Sequence, residues 1–371
     1  MANKRVVVKI GSSSLTKKDG SLSIDKLQEH TEAIAKLMQQ GIEVILISSG
    51  AVSAGFHDLG YSSRPVTVAG KQAAAAVGQG LLIEAYADAF KKYGIVSSQL
   101  LLTRDVFVNK QQFHNVFQVI SELLKRSVIP IINENDAVAI DELTFGDNDM
   151  LSALVSGLVN ADYLILLTDI NGLYSANPNQ YPDAIRYNQL DHVSDELIDQ
   201  TSQNSSSKVG TGGMKSKLLA AQTALSLGVH AFVGVGKGSN KFVDILAGNG
   251  DGTYIGNYHT HHVRKHKQWI AFHSNVSGQL IIDDGAKEAL LKKGRSLLPA
   301  GVLKVKDTFA ENDVVEIVYH NDVIAKGQVN YNSEEIQQIK GLSSAQAMNI
   351  IDQTKAEVIH RNNLVLTLQG V

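Results

Sequence analysis

The chain of 371 residues has no cysteine, which excludes disulfides, thiolate metal sites and cysteine nucleophiles and suits a reducing compartment. No apolar run approaches the ~20 residues that a membrane-spanning helix requires. Excess positive charge is missing as well. The 34 Lys and Arg against 37 Asp and Glu give a net charge of −3, which argues against a nucleic-acid backbone as the main partner. The chain starts almost at once on Arg5-Val6-Val7-Val8-Lys9-Ile10, without the charged start, apolar run and small-residue cleavage site of a secretory signal. These absences lead to the expectation of a cytoplasmic protein with no membrane association. What is present is ordinary globular composition, 44% hydrophobic and 19% charged. A length prior of roughly 150 residues per domain suggests two or three domains.

Up to about residue 235, short β-branched apolar runs at 6–10, 44–48, 96–101, 128–132, 163–167 and 231–235 alternate with helical patterns. Unbroken runs of this kind suit strands buried on both faces of a mainly parallel sheet. Helices are predicted over 23–40, 71–92, 111–126, 150–160 and 215–227. The first carries Ile24, Leu27, Ile34, Leu37 and Met38 on one stripe, opens on Ser23 and stops at Gly41. The alternation predicts an α/β fold, an open, mainly parallel sheet with helices on both faces, which binds ligands at the carboxyl ends of its strands.

The pattern changes after residue 250. Residues 250–273 are polar and basic, with five histidines, and read as a junction. Beyond 276, β-like segments at 279–283, 314–319, 323–328 and 364–368, interrupted by helical pieces at 286–292 and 333–340, predict a small mainly-β domain. The expected division is a catalytic domain over 1–258, a linker over 259–275 and the second domain over 276–371. His259, His261 and His262 have no acids or cysteines in ligand spacing and suit a solvated linker rather than a metal site. Tyr258 and Trp269 suit packing between the domains.

Several motifs sit where strands end. Lys9-Ile10-Gly11-Ser12-Ser13-Ser14 leaves the first strand as a small turn whose backbone N–H groups can face phosphate, with a lysine at its edge. It lacks Walker spacing, and a plain βα turn is the alternative. Ser48-Ser49-Gly50-Ala51-Val52-Ser53-Ala54-Gly55 leaves the second strand likewise, and fits either ligand approach or tight strand–helix packing. After the fourth strand come Asn133-Glu134-Asn135-Asp136 and then Gly146-Asp147-Asn148-Asp149. Helix capping is an alternative for Asp147 and Asp149, but not for Asn133 and Asp136. A carboxylate such as Asp136 suits an α-ammonium group. Thr168-Asp169 could contact a base or ribose, or serve the turn alone. Gly210-Thr211-Gly212-Gly213-Met214-Lys215-Ser216-Lys217 feeds a helix N-terminus, where Lys217 is misplaced for stability but well placed for an anion. Together these pieces suit phosphoryl transfer, with Lys9 and Lys217 flanking the transferring group.

In this order, VVKIGSSSL, SSGAVSAG, IPIINENDAV, GDNDMLSALV, LLTDINGLY and GTGGMKSKLLAA resemble the glutamate 5-kinase family, which has the amino acid kinase fold. GRSLLPAGV and IAKGQVNYNS are similar to the PUA domain carried by many of its bacterial members. The resemblance covers essentially the whole chain and implies ATP-dependent, Mg²⁺-assisted phosphorylation of the γ-carboxylate of L-glutamate, the first step of proline biosynthesis. It implies that Lys9 and Lys217 contact ATP and the phosphoryl group, and that Asp149 organises them. Ser49, Asp136 and Asn148 match glutamate-binding positions, with Asn133 beside them. Thr168, Asp169, Thr211, Gly212, Gly213, Met214, Lys215, Ser216 and Lys217 match nucleotide-binding segments. It further implies inhibition by proline, with 141–145 taking part, delivery of product to glutamate-5-semialdehyde dehydrogenase, and a homo-oligomer. RNA binding by the PUA-like segment is not expected, since 276–371 holds 10 Lys and Arg against 12 Asp and Glu.

Overall fold

The computed structural model describes residues 4–17, 19–138, 148–176, 181, 183–198, 213–256, 270, 276–291, 295–351 and 355–366. The stretch 141–145, Asp147, Thr211, Gly212, the three linker histidines, Tyr258 and Trp269 lie outside the described residues. The chain forms two compact units, Met1–Val106 with His114–His262, and Phe107–Phe113 with Val263–Val371.

The strands of the first unit are β1 (Arg5–Ile10), β2 (Glu43–Ser48), β3 (Ser97–Leu102), β4 (Ile129–Glu134), β5 (Tyr163–Leu167), β6 (Leu173–Tyr174), β7 (Arg186–Tyr187), β8 (Gln189–Leu190), β9 (His230–Val235) and β10 (Asp251–Ile255). All but β6 and β7, which pair with each other, form one sheet in the order β3-β4-β2-β1-β5-β9-β10-β8. Pairing is parallel from β3 through β9, while β10 runs antiparallel to β9. Between the strands lie α1 (Ile24–Gln39), α2 (Ala51–Gly55), α3 (Val68–Lys91), α4 (Arg104–Val108), α5 (Lys110–Lys125), α6 (Asn148–Leu158), α7 (Met214–Ser226) and α8 (Lys241–Leu246).

Alternation along β1 sorts the two faces of the sheet. Val6, Val8 and Ile10 enter the core cluster built with Leu27, Ile34 and Leu37 of α1 and Leu82, Tyr86 and Phe90 of α3. Lys9 points to the opposite face, where it meets α6. Ser23 caps α1 by accepting from the Lys26 N–H, and Gly41, at φ +79°, lets the chain turn away. The glycines of α2 and α3 allow close approach. A Cβ on Gly78 would lie 1.9 Å from the Ala51 carbonyl oxygen, so the two backbones touch there.

Several boundaries differ from the sequence expectation, and α3 opens at Val68 rather than at 71. β4 runs on through Asn133 and Glu134, which pair with Leu101 and Leu102 of β3, so these polar residues belong to the strand and not to the loop after it. α6 opens at Asn148 rather than at 150. The polar junction expected from 250 begins instead with β10, whose Thr253 is buried because its hydroxyl donates to the Tyr187 carbonyl and accepts from the Leu173 N–H.

The second unit holds a five-stranded sheet of β11 (Val276–Ile282), β12 (Val302–Lys306), β13 (Val314–Tyr319), β14 (Asp322–Gln328) and β15 (Leu364–Leu366), in the order β12-β11-β13-β14-β15. Leu280, Ile282, Val315, Ile317 and Ala325 from its strands share a core with Ile336 and Ile339 of the helix Ser333–Ile339. That helix opens on a capping box in which Asn332 and Glu335 exchange hydrogen bonds with each other's backbone N–H. Strand β12 and the short helix Ser344–Ile350 escaped the sequence pattern, β12 because it has no continuous buried run and the helix because it buries only Ala347. Among the described residues no helix is long and apolar enough to cross a membrane.

Candidate active site

Asp149, the second residue of α6, is completely buried. Its Oδ1 lies 2.6 Å from the Lys9 ammonium, and its Oδ2 lies 3.2 Å from that of Lys217. The Ser216 hydroxyl donates to the same Oδ2 at 2.9 Å. Both lysines are themselves buried. Buried ions carry a large desolvation cost unless paired, so the carboxylate fixes where two ammonium groups can stand. Lys217 belongs to the first turn of α7, where the helix dipole disfavours a cation; its pairing with Asp149 offsets this.

The turn after β1 is supported from α1. Lys26 donates to the carbonyls of Ser13 and Thr16, and the His30 Nε2–H donates to that of Ser14 at 3.2 Å. Burial pushes the His30 imidazole down to about 4 from its usual 6.5, with the Lys241 ammonium adding to the effect. The ring is therefore neutral, and its buried Nδ1 has no hydrogen-bond partner among the described residues.

A second cluster adjoins the first because Asn148 precedes Asp149. The Asn148 amide donates to Ser49 Oγ at 2.7 Å, to Asn133 Oδ1 at 2.8 Å and to the Ser48 carbonyl at 3.3 Å. Asn133 in turn donates to Gln79 Oε1 of α3 at 2.9 Å. Asp136 follows β4. Burial raises its carboxyl above the usual carboxylate value, opposed by the Arg64 guanidinium, and the carboxylate makes no hydrogen bond with a described residue. At the end of β5, the Thr168 N–H donates to the Gly234 carbonyl, and its hydroxyl donates to Asp169.

The structure thus assembles Lys9, Asp149, Ser216 and Lys217 in one group and Ser49, Asn133 and Asn148 in a second. Asp136, Thr168 and Asp169 share no hydrogen bond with either group among the described residues. Gly213 caps α7 without a side chain, followed by Met214 and the exposed Lys215. Sequence reasoning missed Gln79, Tyr86, Lys26 and His30. The first two had a signal, a polar group inside an Ala-rich apolar helix, while the other two had none. Chemically, ammonium groups set on the two oxygens of one carboxylate are suited to hold phosphoryl oxygens, and the neighbouring amides and hydroxyl are suited to a small polar acceptor.

Residues 4–234 match the amino acid kinase family and residues 278–351 the PUA domain. "Glutamate 5-kinase 1" of Bacillus subtilis (strain 168) is 56% identical over 366 residues, 98% of this chain and 99% of that protein. "Glutamate 5-kinase" of Shouchella clausii (strain KSM-K16) is 52% identical over 99% of this chain and 98% of its own length. Among solved structures, carbamate kinase from Giardia lamblia bound to AMP-PNP matches at a TM-score of 0.50 and 18% identity, over 68% of this chain and 98% of that one, a likeness of fold alone. The chain belongs to the amino acid kinase family, among its glutamate 5-kinases, and carries a PUA domain.

Proposed function

We propose that the protein transfers the γ-phosphoryl group of ATP to the side-chain carboxylate of L-glutamate, giving L-glutamyl 5-phosphate and ADP as the first step from glutamate to proline. The observation that carries this is Asp149 holding Lys9 and Lys217 on its two oxygens, one residue from the Asn148–Ser49–Asn133 cluster. A glutamate carboxylate is already ionised near neutral pH and needs no general base. One of its oxygens bonds to the γ-phosphorus as the bond from that phosphorus to the β,γ-bridging oxygen breaks, and ADP leaves. Lys9 and Lys217 neutralise charge on the phosphoryl oxygens, and Asp149 keeps them in place. Ser49, Asn133 and Asn148 hold the acceptor, with Asp136 toward its α-ammonium. Thr168, Asp169 and residues 211–217 contact the nucleotide.

Magnesium prefers oxygen ligands and commonly arrives on substrate phosphates. Among the described residues no group of three His, Asp or Glu could cage it, and Asp149 is engaged by lysines on both oxygens. A divalent ion carried by ATP fits this donor set better than one held by the chain, and would supply charge neutralisation between the phosphates. The same reading extends to inhibition by proline at the glutamate site with 141–145 taking part, to delivery of the short-lived acyl phosphate to glutamate-5-semialdehyde dehydrogenase, and to a cytoplasmic homo-oligomer. The catalytic domain spans 1–258, the linker 259–275 and the PUA-like domain 276–371, the last without RNA.

The test is incubation with ATP, Mg²⁺, hydroxylamine and a panel of amino acids, with hydroxamate as the readout. Product with glutamate and none with aspartate or acetylglutamate is expected; the opposite pattern refutes the substrate. Proline titrated into initial rates, and pulldown with the dehydrogenase, test the extensions.

A further inference from the structure

We infer that Gln79 is a positioning residue for the acceptor site, setting the orientation of the Asn133 and Asn148 amides; this rests on the proposal that these amides hold glutamate. A buried amide has a donor end and an acceptor end, and turning it over exchanges them. Asn133 donates to Gln79 Oε1 at 2.9 Å, while its own oxygen accepts from Asn148 at 2.8 Å and from the Glu134 N–H at 3.0 Å. Turned over, Asn133 would set its oxygen against the Gln79 oxygen and its NH₂ against two donors. The Gln79 carbonyl therefore selects one orientation of Asn133. Asn133 then selects that of Asn148, which reaches Ser49 Oγ and the Ser48 carbonyl.

The chain of bonds closes on itself. Two helical turns beyond Gln79, the Tyr86 hydroxyl lies 3.0 Å from Ser48 Oγ. Gln79, Asn133, Asn148, Ser48 and Tyr86 are all buried and form a ring whose return path is α3 itself. α3 cannot drift away from this ring, because Gly78 is in backbone contact with α2. Its Ala-rich sequence thus carries two polar groups that reach this ring, one through Asn133 and one through Ser48.

The experiment uses Gln79→Met, which keeps length and removes the acceptor, and Gln79→Glu, which keeps an oxygen facing Asn133. Gln79→Met is expected to raise the glutamate KM about tenfold, the equivalent of one hydrogen bond, with the ATP KM close to wild type. Gln79→Glu is expected to restore most of the loss. Combined with Asn148→Ala, Gln79→Met should add little to the effect of Asn148→Ala alone, because both act through one contact. Should Gln79→Met not fold, Gln79→Asn withdraws the same oxygen by one methylene. An unchanged glutamate KM in Gln79→Met beside a raised one in Asn148→Ala overturns the inference alone, as does full additivity in the double variant. An unchanged KM in Asn148→Ala removes the glutamate assignment, and the inference with it.

Discussion

Replacing Asp149 by Asn keeps the shape of the side chain and removes its charge, leaving two buried ammonium groups around a neutral amide. Removing one partner of a buried ion pair typically costs about 3–5 kcal/mol. The low end applies here, because the amide oxygen still accepts from one lysine, while its NH₂ opposes the other. For a unit of this size each kcal/mol shifts the melting midpoint by roughly 2–4 °C, so a fall of about 6–12 °C is expected by scanning calorimetry. The loss has a specific signature. Lys217→Met should cost less in the Asp149→Asn background than in wild type, with a coupling of at least ~1 kcal/mol, because the stranded charge is then removed. A melting midpoint unchanged by Asp149→Asn, or independent costs for the two substitutions, would refute the claim that this carboxylate fixes the lysines.

Three further outcomes follow from the same geometry. Gly78→Ala places a Cβ 1.9 Å from the Ala51 carbonyl oxygen, with backbone on both sides and no flexible group to yield; a loss above ~4 kcal/mol or failure to accumulate folded protein is expected by urea unfolding. Lys217→Met should lower kcat on the order of 10²–10³-fold while leaving the glutamate KM close to wild type, measured by hydroxamate formation. His30 binds its proton in the folded state only near pH 4, against 6.5 when unfolded, so its contribution is intact above pH 6.5 and is lost as pH falls toward 4. The loss amounts to about 3 kcal/mol, and His30→Gln, which keeps an N–H for the Ser14 carbonyl, should remove that part of the pH slope in denaturation titrations.

The central strands β1, β2, β4, β5 and β9 were legible because they are buried nearly throughout, and because Ser23, Gly41 and the Gly/Ser turns punctuate them. Legibility failed where burial is achieved by polar groups. Asn133 and Glu134 extend β4 while looking like loop residues, and Thr253 is buried through two hydrogen bonds inside a segment that reads as a solvated junction. The lysines were visible as motif residues, yet nothing in their spacing, 208 positions apart in sequence, says that one carboxylate separates them. Gln79 was visible only as an oddity inside an Ala-rich helix. Its partner lies 54 residues away on another element, which periodicity within α3 does not register.

The adjacency of Asn148 and Asp149 lets one helix end face two separate side-chain clusters. Consecutive residues on a helix point in different directions, about 100° apart at 3.6 residues per turn. Asn148 is thereby turned toward the ends of β2 and β4, where it meets Ser49 and Asn133, and Asp149 toward β1 and α7, where it meets Lys9 and Lys217. The two directions are locked to each other by the backbone of a single peptide unit, and α6 is buried along nearly its whole length, so the helix has no freedom to roll. The separation between the Asn148–Ser49–Asn133 cluster and the ammonium pair is therefore set by covalent geometry rather than by loop conformation. For a transfer between two bound anions, which repel until the phosphoryl oxygens are neutralised, alignment of this kind is the larger part of what a protein can contribute.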